Sequence, residues 1–207
     1  GHSNSKKGFL APSTFLTEDI TATSGRSIFE DQNKKIDSRL YVNCDADGGT
    51  ITKYAISSAT INATNATTPS ASYSWFTEKD NGSKWIIYRL PDIMLMKAEA
   101  LCEKVDTSDN ETNKAMLEEA FQLANVINKR SICKKELTAS DTLKLSDYPT
   151  KDEVTKLVKR ERHREFMFEG KRWYDLVRYS MRAGNTDELI TAVNEREDVN
   201  KEFSQQF

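Results

Sequence analysis

The sequence lacks the features that define several large classes of protein. Its longest apolar runs are far shorter than the roughly 20 residues that a membrane-spanning helix requires. It contains no Gly-rich phosphate loop, and its only histidines, His2 and His163, belong to no pattern typical of metal ligation or nucleophilic catalysis. Its three cysteines have neither metal-like spacing nor the even count of a disulfide framework. The sequence therefore predicts no metal site and no cofactor.

An excess of positive charge is also missing. The 207 residues include 30 Lys and Arg against 32 Asp and Glu, which gives a net charge of −2. Because binding to nucleic acid generally needs a basic surface, we predict no nucleic-acid partner. Hydrophobic residues make up 37% of the chain and charged residues 30%. This composition is typical of a polar globular protein, and the chain is long enough to bury a core.

The first part of the chain, residues 1–84, shows no sustained helical periodicity and is rich in Ser, Thr and Asn. Two strand-like stretches, residues 39–44 and 50–56, flank the turn-forming sequence DADGG and predict a short β-hairpin. Residues 60–76 are polar and end in aromatics, so we predict a loop there. We therefore expect this part to be rich in loops.

From Trp85 onward the pattern is helical, and residues 85–207 are predicted to form one helical region. Pro91 suits the first turn of a helix that reaches residue 104, and a second helix is predicted over residues 112–131. Together they indicate an antiparallel hairpin similar in size to a tetratricopeptide unit. The predicted fold class is mainly α, with tetratricopeptide-like helical hairpins beside the loop-rich N-terminal region.

Two further helices are predicted after a polar loop. Thr150 and Glu153 form a capping box at the start of a helix that runs to Phe168. Gly170 is well placed to end this helix as its C′ residue. The next helix begins near Lys171 and ends at the sequence AGN.

The stretch RERHREFMFEGKRWYDLVRY, residues 160–179, combines ten charged with five aromatic side chains. The apolar stripe of its first helix, continued at helical spacing, meets Glu161 and Glu165, so two carboxylates lie on the face that should be buried. One interpretation is a pair of catalytic carboxylates, as in glycoside hydrolases. A second is an interface with a partner protein.

The interpretation we favour is a semi-buried network of salt bridges that joins two helices. Arg162 is an i, i+3 neighbour of Glu165, and Glu161 has an equivalent neighbour in Arg164. Further cations are expected from across the Gly170 turn, from Arg172 and Arg178, because guanidinium groups pair with carboxylates in a fixed geometry. Such arginines would lower the pKa of both acids, which disfavours catalysis.

These residues resemble a known family. The stretch Arg160 to Arg178 is similar to the C-terminal signature of the SusD/RagB family, the cell-surface glycan-binding lipoproteins of starch-utilisation-type systems. The resemblance covers roughly residues 36–180, in matching order and spacing. Its upstream parts are IDSRLYVN (36–43), KY (53–54), YRLPDIMLMKAEAL (88–101) and ANVINKR (124–130).

The resemblance implies a mostly helical fold whose ligand side is built from loops, here residues 1–84. It implies an outward-facing lipoprotein of the outer membrane that binds oligosaccharides without catalysis and works with a TonB-dependent transporter. Family members are usually longer, so we expect this chain to be a C-terminal part or a short member. It would itself be soluble, with a lipid anchor outside this sequence. The alternative is a structural or interaction fragment whose glycan site lies on a missing N-terminal half.

Exposed aromatic rings are the candidates for binding sugar, because sugar rings stack on aromatic faces. Trp75, together with Tyr73, lies outside any apolar stripe and is our candidate ligand-binding pair. The alternative for this pair is a role in capping the core next to Trp85. Trp85 and Trp173 are expected to lie in the core.

Overall fold

The computed structural model describes residues 28–29, 37–45, 50–62, 70–77, 84–108, 110–133 and 136–194. Helices dominate these residues, which confirms the predicted mainly α fold. The helices are α1 (Ser38–Asn43), α2 (Leu90–Lys104), α3 (Glu111–Ser131), α4 (Lys151–Glu165), α5 (Arg172–Ala183) and α6 (Asp187–Asn194). The strands are β1 (Cys44–Asp45), β2 (Thr50–Ile51), β3 (Ile56–Asn62) and β4 (Ser70–Trp75). Two short 3-10 helices, Ala139–Asp141 and Leu145–Asp147, lie between α3 and α4.

Helices α2, α3 and α4 pack together around the main hydrophobic core. Leu95 and Ala98 of α2, Phe121 and Ala124 of α3, and Leu157 of α4 are almost completely buried in it. The two alanines allow the helix axes to approach closely. Pro91 occupies the first turn of α2, where its missing N–H costs no hydrogen bond. The helical hairpin of α2 and α3 therefore forms where the sequence predicts it.

The start of α4 follows its sequence signal, but its end does not. Thr150 and Glu153 form the predicted capping box, in which the Glu153 carboxylate accepts from the Thr150 N–H at 3.0 Å. The helix ends at Glu165, earlier than predicted, and a turn over residues 166–170 follows. Phe168 and Gly170 both have positive φ, 62° and 73°, so Gly170 serves this turn and is not the C′ residue of α4. A Cβ at this position would lie 3.4 Å from the Trp85 ring, an ordinary contact distance, so the positive φ and not space favours glycine.

The predicted hairpin over residues 39–56 is largely wrong. Residues 38–43 are helical because the Asp37 carboxylate caps the helix and accepts from the Arg39 N–H at 2.9 Å. Only β1 and β2, two residues each, keep the antiparallel pairing on either side of the DADGG sequence.

A longer hairpin lies in the stretch predicted to be a loop. Strands β3 and β4 are antiparallel, with Ile61 opposite Ala71 and Ala59 opposite Tyr73. Their residues alternate between an apolar or aromatic face and a face of Ser, Thr and Asn, which is the period-two pattern of a half-buried strand. Ala and Ser differ little in hydrophobicity, so this alternation is weak in the sequence and the strands were not predicted.

A second apolar cluster joins the N-terminal elements to the turn after α4. Leu40 and Tyr41 of α1 and Cys44 of β1 are buried there against Met167. Ile28 and Phe29 are buried in the same cluster. None of the helices in the part of the chain that the structure describes combines the length and the apolar character needed to cross a bilayer.

Candidate functional site

Glu161 is fully buried at the centre of a charged cluster between α1, α3 and α4. Its carboxylate accepts hydrogen bonds from Arg39 Nη1 at 2.9 Å, Arg164 Nη1 at 3.0 Å and Asn128 Nδ2 at 3.0 Å. Burial raises the pKa of this carboxyl, but Arg39 and Arg164 outweigh it, and the pKa is lowered. Glu161 is therefore a buried carboxylate that remains ionised.

Glu165 lies one turn further along α4 and is held by three arginines. Arg89 and Arg130 both contact its Oε1, and Arg39 Nη1 lies 3.4 Å from its Oε2. The pKa of Glu165 is also lowered, since the arginines outweigh the opposing effect of burial. These cations come from elements far upstream, so the prediction that Arg172 and Arg178 pair with Glu161 and Glu165 is wrong.

Two of the remaining predicted network residues, Arg162 and Arg178, lie in a neighbouring group of charges. Arg162 donates to Asp175 at 2.9 Å and to Asp92 at 3.3 Å, and it does not pair with Glu165. Arg178 makes a bidentate pair with Glu99, with both N–O distances at 2.9 Å. This group ties α2 and α4 to α5.

Arg172 stands apart from both groups. Among the described residues it forms no ion pair.

The sequence analysis also missed Asp92 and Glu99 as partners. Their positions continue the buried stripe of α2 that contains Leu95 and Cys102, and a carboxylate on such a stripe is the signal that could have identified them.

The chemistry of this cluster favours structure over catalysis. A general acid needs a raised pKa near the working pH, whereas the pKa values of Glu161 and Glu165 are both lowered. The described residues also contain no group of His, Cys, Asp and Glu that could hold a metal ion.

Glu165→Gln distinguishes a hydrolase from a salt-bridge network. Gln keeps the shape of the side chain but leaves Arg39, Arg89 and Arg130 without their shared carboxylate. We expect the free energy of unfolding to fall by about 1–3 kcal/mol, measured by urea denaturation. Glu118→Gln, on the exposed side of α3, is the matched control and should change stability little. Loss of glycosidase turnover with unchanged stability would instead support the catalytic interpretation.

A cleft of about 420 Å³ opens beside this cluster. Its size lies within the range of small-molecule pockets. Its walls come from α1, strand β3 and the turn after β2. They are completed by the segment before α2, the end of α3 and the turn after α4. The lining residues are Ser38, Arg39, Val42, Asn43, Lys53, Tyr54, Ile56, Ser57, Ser58, Ala59, Ile86, Arg89, Arg130, Glu165 and Glu169.

Two aromatic rings stack at the cleft. The rings of Tyr54 and Trp85 are 5.1 Å apart between centroids and inclined by 25°. Trp85 is 61% exposed and Trp173 is 58% exposed, so the prediction that both lie in the core is wrong. The core between α2, α3 and α4 is filled by Phe121, Phe166 and smaller side chains, and Trp85 lies outside it, in the extended segment before α2.

The candidate pair Tyr73 and Trp75 lies on one face of β4. Their ring centroids are 6.0 Å apart and the rings are inclined by 57°. The Tyr73 hydroxyl donates to the backbone carbonyl of Tyr41 at 3.0 Å, which fixes its orientation, whereas the Trp75 side chain is 46% exposed. Trp75 lies opposite Ile56, which lines the cleft. The pair is therefore one strand away from the cleft.

The family model described as the SusD family matches residues 3–206, nearly the whole chain. No curated protein and no solved structure matched.

Proposed function

Because this chain belongs to the SusD family of glycan-binding outer-membrane proteins, we propose that it is the cell-surface oligosaccharide-binding subunit of a TonB-dependent uptake system. In this role it captures an oligosaccharide outside the cell and delivers it to a TonB-dependent transporter. Family members are outer-membrane-associated lipoproteins, and we infer an outward-facing position for this chain. It acts by binding, not by catalysis.

The observation that carries the proposal is the exposed ring of Trp75 beside the fixed ring of Tyr73. A ring that is half exposed on a paired strand offers a rigid apolar face to a sugar and loses little conformational freedom on binding. The ligand side is accordingly the N-terminal region.

Trp75→Ala is expected to weaken oligosaccharide binding roughly tenfold or more, because it removes the stacking surface. Affinity is measured by calorimetry against a panel of oligosaccharides identified with a glycan array, and a thermal melt checks the fold. Trp173→Ala is the matched control, since its side chain is similarly exposed but belongs to α5 and does not line the cleft. Unchanged affinity in the Trp75 variant would remove this residue from the site.

A second function, that of an interaction module, is favoured by a different observation. Large apolar side chains are exposed along the segment before α2 and on α2 and α5. They include Ile87 (72%), Tyr88 (71%), Leu90 (71%), Tyr174 (70%) and Met181 (79%). Exposed apolar residues of this kind mark protein interfaces, and the transporter is the partner we propose for them. A chain that co-purifies with the transporter but binds no oligosaccharide would favour this alternative.

A further inference from the structure

We propose that the cleft beside the charged cluster binds an acidic sugar unit, whose anionic group pairs with Arg130 and Lys53. The proposal rests on the proposed function and narrows its ligand to oligosaccharides that carry a uronate or a sulfate. Trp75 would contact the same ligand outside the cleft. Three properties of the cleft support this: its charge balance, the position of Arg130 and the state of Tyr54.

The first property is a surplus of one positive charge. Lys53, Arg89 and Arg130 share only two carboxylates, those of Glu165 and Glu169. Lys53 Nζ and Arg89 Nη2 are both 2.7 Å from Glu169 Oε1.

No other described carboxylate is free to cancel this surplus. The fourth cation that lines the cleft, Arg39, is matched by Asp37 at 2.6 Å, and Glu161 is matched by Arg164 at 3.0 Å. Lys171, 3.9 Å from Glu169, has Asp92 as its closer partner. Burial lowers the pKa of Lys53 despite its bond to Glu169, and Arg89 adds to this effect. An anion in the cleft would restore the balance of charge.

The second property is the availability of Arg130 at the rim. Its side chain is 57% exposed, and its ion pair with Glu165 uses one of the five N–H donors of a guanidinium group. Glu165 Oε1 already accepts from Arg89. Arg130 therefore has donors left for a planar carboxylate or a sulfate, both of which guanidinium groups bind in bidentate fashion.

The third property is the conformation of Tyr54. Its φ of 67° lies in the left-handed region, which residues with bulky side chains rarely adopt and which is often found at binding sites. Its hydroxyl is buried beside the backbone of Ile86, and the residue lines the cleft. Tyr54 is thus held in this conformation at the cleft, where its ring stacks on Trp85.

A sugar acid fits these properties better than a bare anion does. The ring of Tyr54, which stacks on Trp85, and the apolar atoms of Ile56 and Ile86 offer surface that a small inorganic anion would not use. Ser57 and Ser58 lie on the β3 side of the cleft and supply polar groups for ring hydroxyls. A neutral sugar would leave the positive charge unmatched.

The test measures binding of glucuronate, glucose 6-sulfate and glucose to the full chain at low salt, with the Trp85 indole N–H signal in NMR as the local readout. We expect at least one of the acidic sugars to bind roughly tenfold or more tightly than glucose, because a hydrogen bond to a charged group contributes about that much affinity. Arg130→Gln should abolish this preference. Lys129→Gln removes the same charge one residue away, at an exposed position that does not line the cleft, and should keep the preference.

The comparison of the two acidic sugars identifies the anionic group, and Arg130→Lys separates charge from bidentate geometry. Equal binding of all three sugars, binding of none, or a preference that survives Arg130→Gln would each overturn the proposal. Neutral oligosaccharides that bind the wild-type chain but not the Trp75→Ala variant would still support the proposed function in those cases. A cleft that does not prefer acidic sugars can thus be distinguished from a chain that does not bind oligosaccharides.

Discussion

Glu161→Ala is expected to lower the free energy of unfolding by about 3–5 kcal/mol, the range found when one partner of a buried ion pair is removed. The Glu161 side chain is fully buried and bonds to Arg39, Arg164 and Asn128. Alanine would remove the Glu161 carboxylate from the buried Arg39 and Arg164 guanidinium groups. It would also leave a cavity next to α1. The loss is measured by chemical denaturation, with circular dichroism as the signal of unfolding.

The control for this prediction is Glu118→Ala. Glu118 is a helical glutamate on the exposed side of α3, so its replacement should change stability by less than about 0.5 kcal/mol. If Glu161→Ala were as mild as this control, the cluster would not stabilise the fold, and the charges would need another explanation.

His163 is expected to make stability fall steeply as the pH drops below 6.5. Burial lowers its pKa to about 3, and Arg172 and Arg164 add to this effect. Between pH 6.5 and about 3 the unfolded chain binds a proton at His163 that the folded chain does not bind. The free energy of unfolding therefore decreases by about 1.4 kcal/mol per pH unit as the pH falls through this window.

The part of this window above pH 5.5 isolates the histidine, because carboxyl groups with ordinary pKa values are almost fully ionised there. From pH 6.5 to 5.5 we expect a loss of about 1 kcal/mol in the wild-type chain and a nearly flat profile in His163→Gln, measured by denaturation at each pH. His2→Gln removes the other histidine of the sequence and serves as the control. An unchanged slope in the His163 variant would mean that His163 stays accessible to protons in the folded state.

Patterns that depend on neighbouring residues were predicted well from the sequence. The capping box at Thr150, the position of Pro91 and the apolar stripes of α2 and α3 each report local geometry, and the helices form where these signals lie. Glu161 and Glu165 are buried, as the periodicity of α4 indicates. Local patterns also predict a turn at Gly170. They do not predict that Gly170 lies within the turn and is not the C′ residue of α4.

Contacts between distant parts of the chain could not be predicted in the same way. Arg39 and Glu161 are 122 residues apart, and nothing in either local sequence indicates the other. Arg172 and Arg178 lie close in sequence to Glu161 and Glu165, but α5 directs Arg178 to Glu99 of α2 instead. The cleft was not predicted either, since it is formed by segments that meet only in the folded chain.

The separation of Arg39 from Glu161 has a consequence for the order of folding. The hairpin of α2 and α3 can form from contacts close in sequence, whereas the bonds that Arg39 makes to α4 require closure of a long loop. When the chain emerges with its N-terminal end first, α1 appears long before Glu161 and Glu165, the carboxylates of α4 to which Arg39 bonds. We therefore expect the charged cluster to assemble last, so that α1 docks only on a helical layer that has already formed.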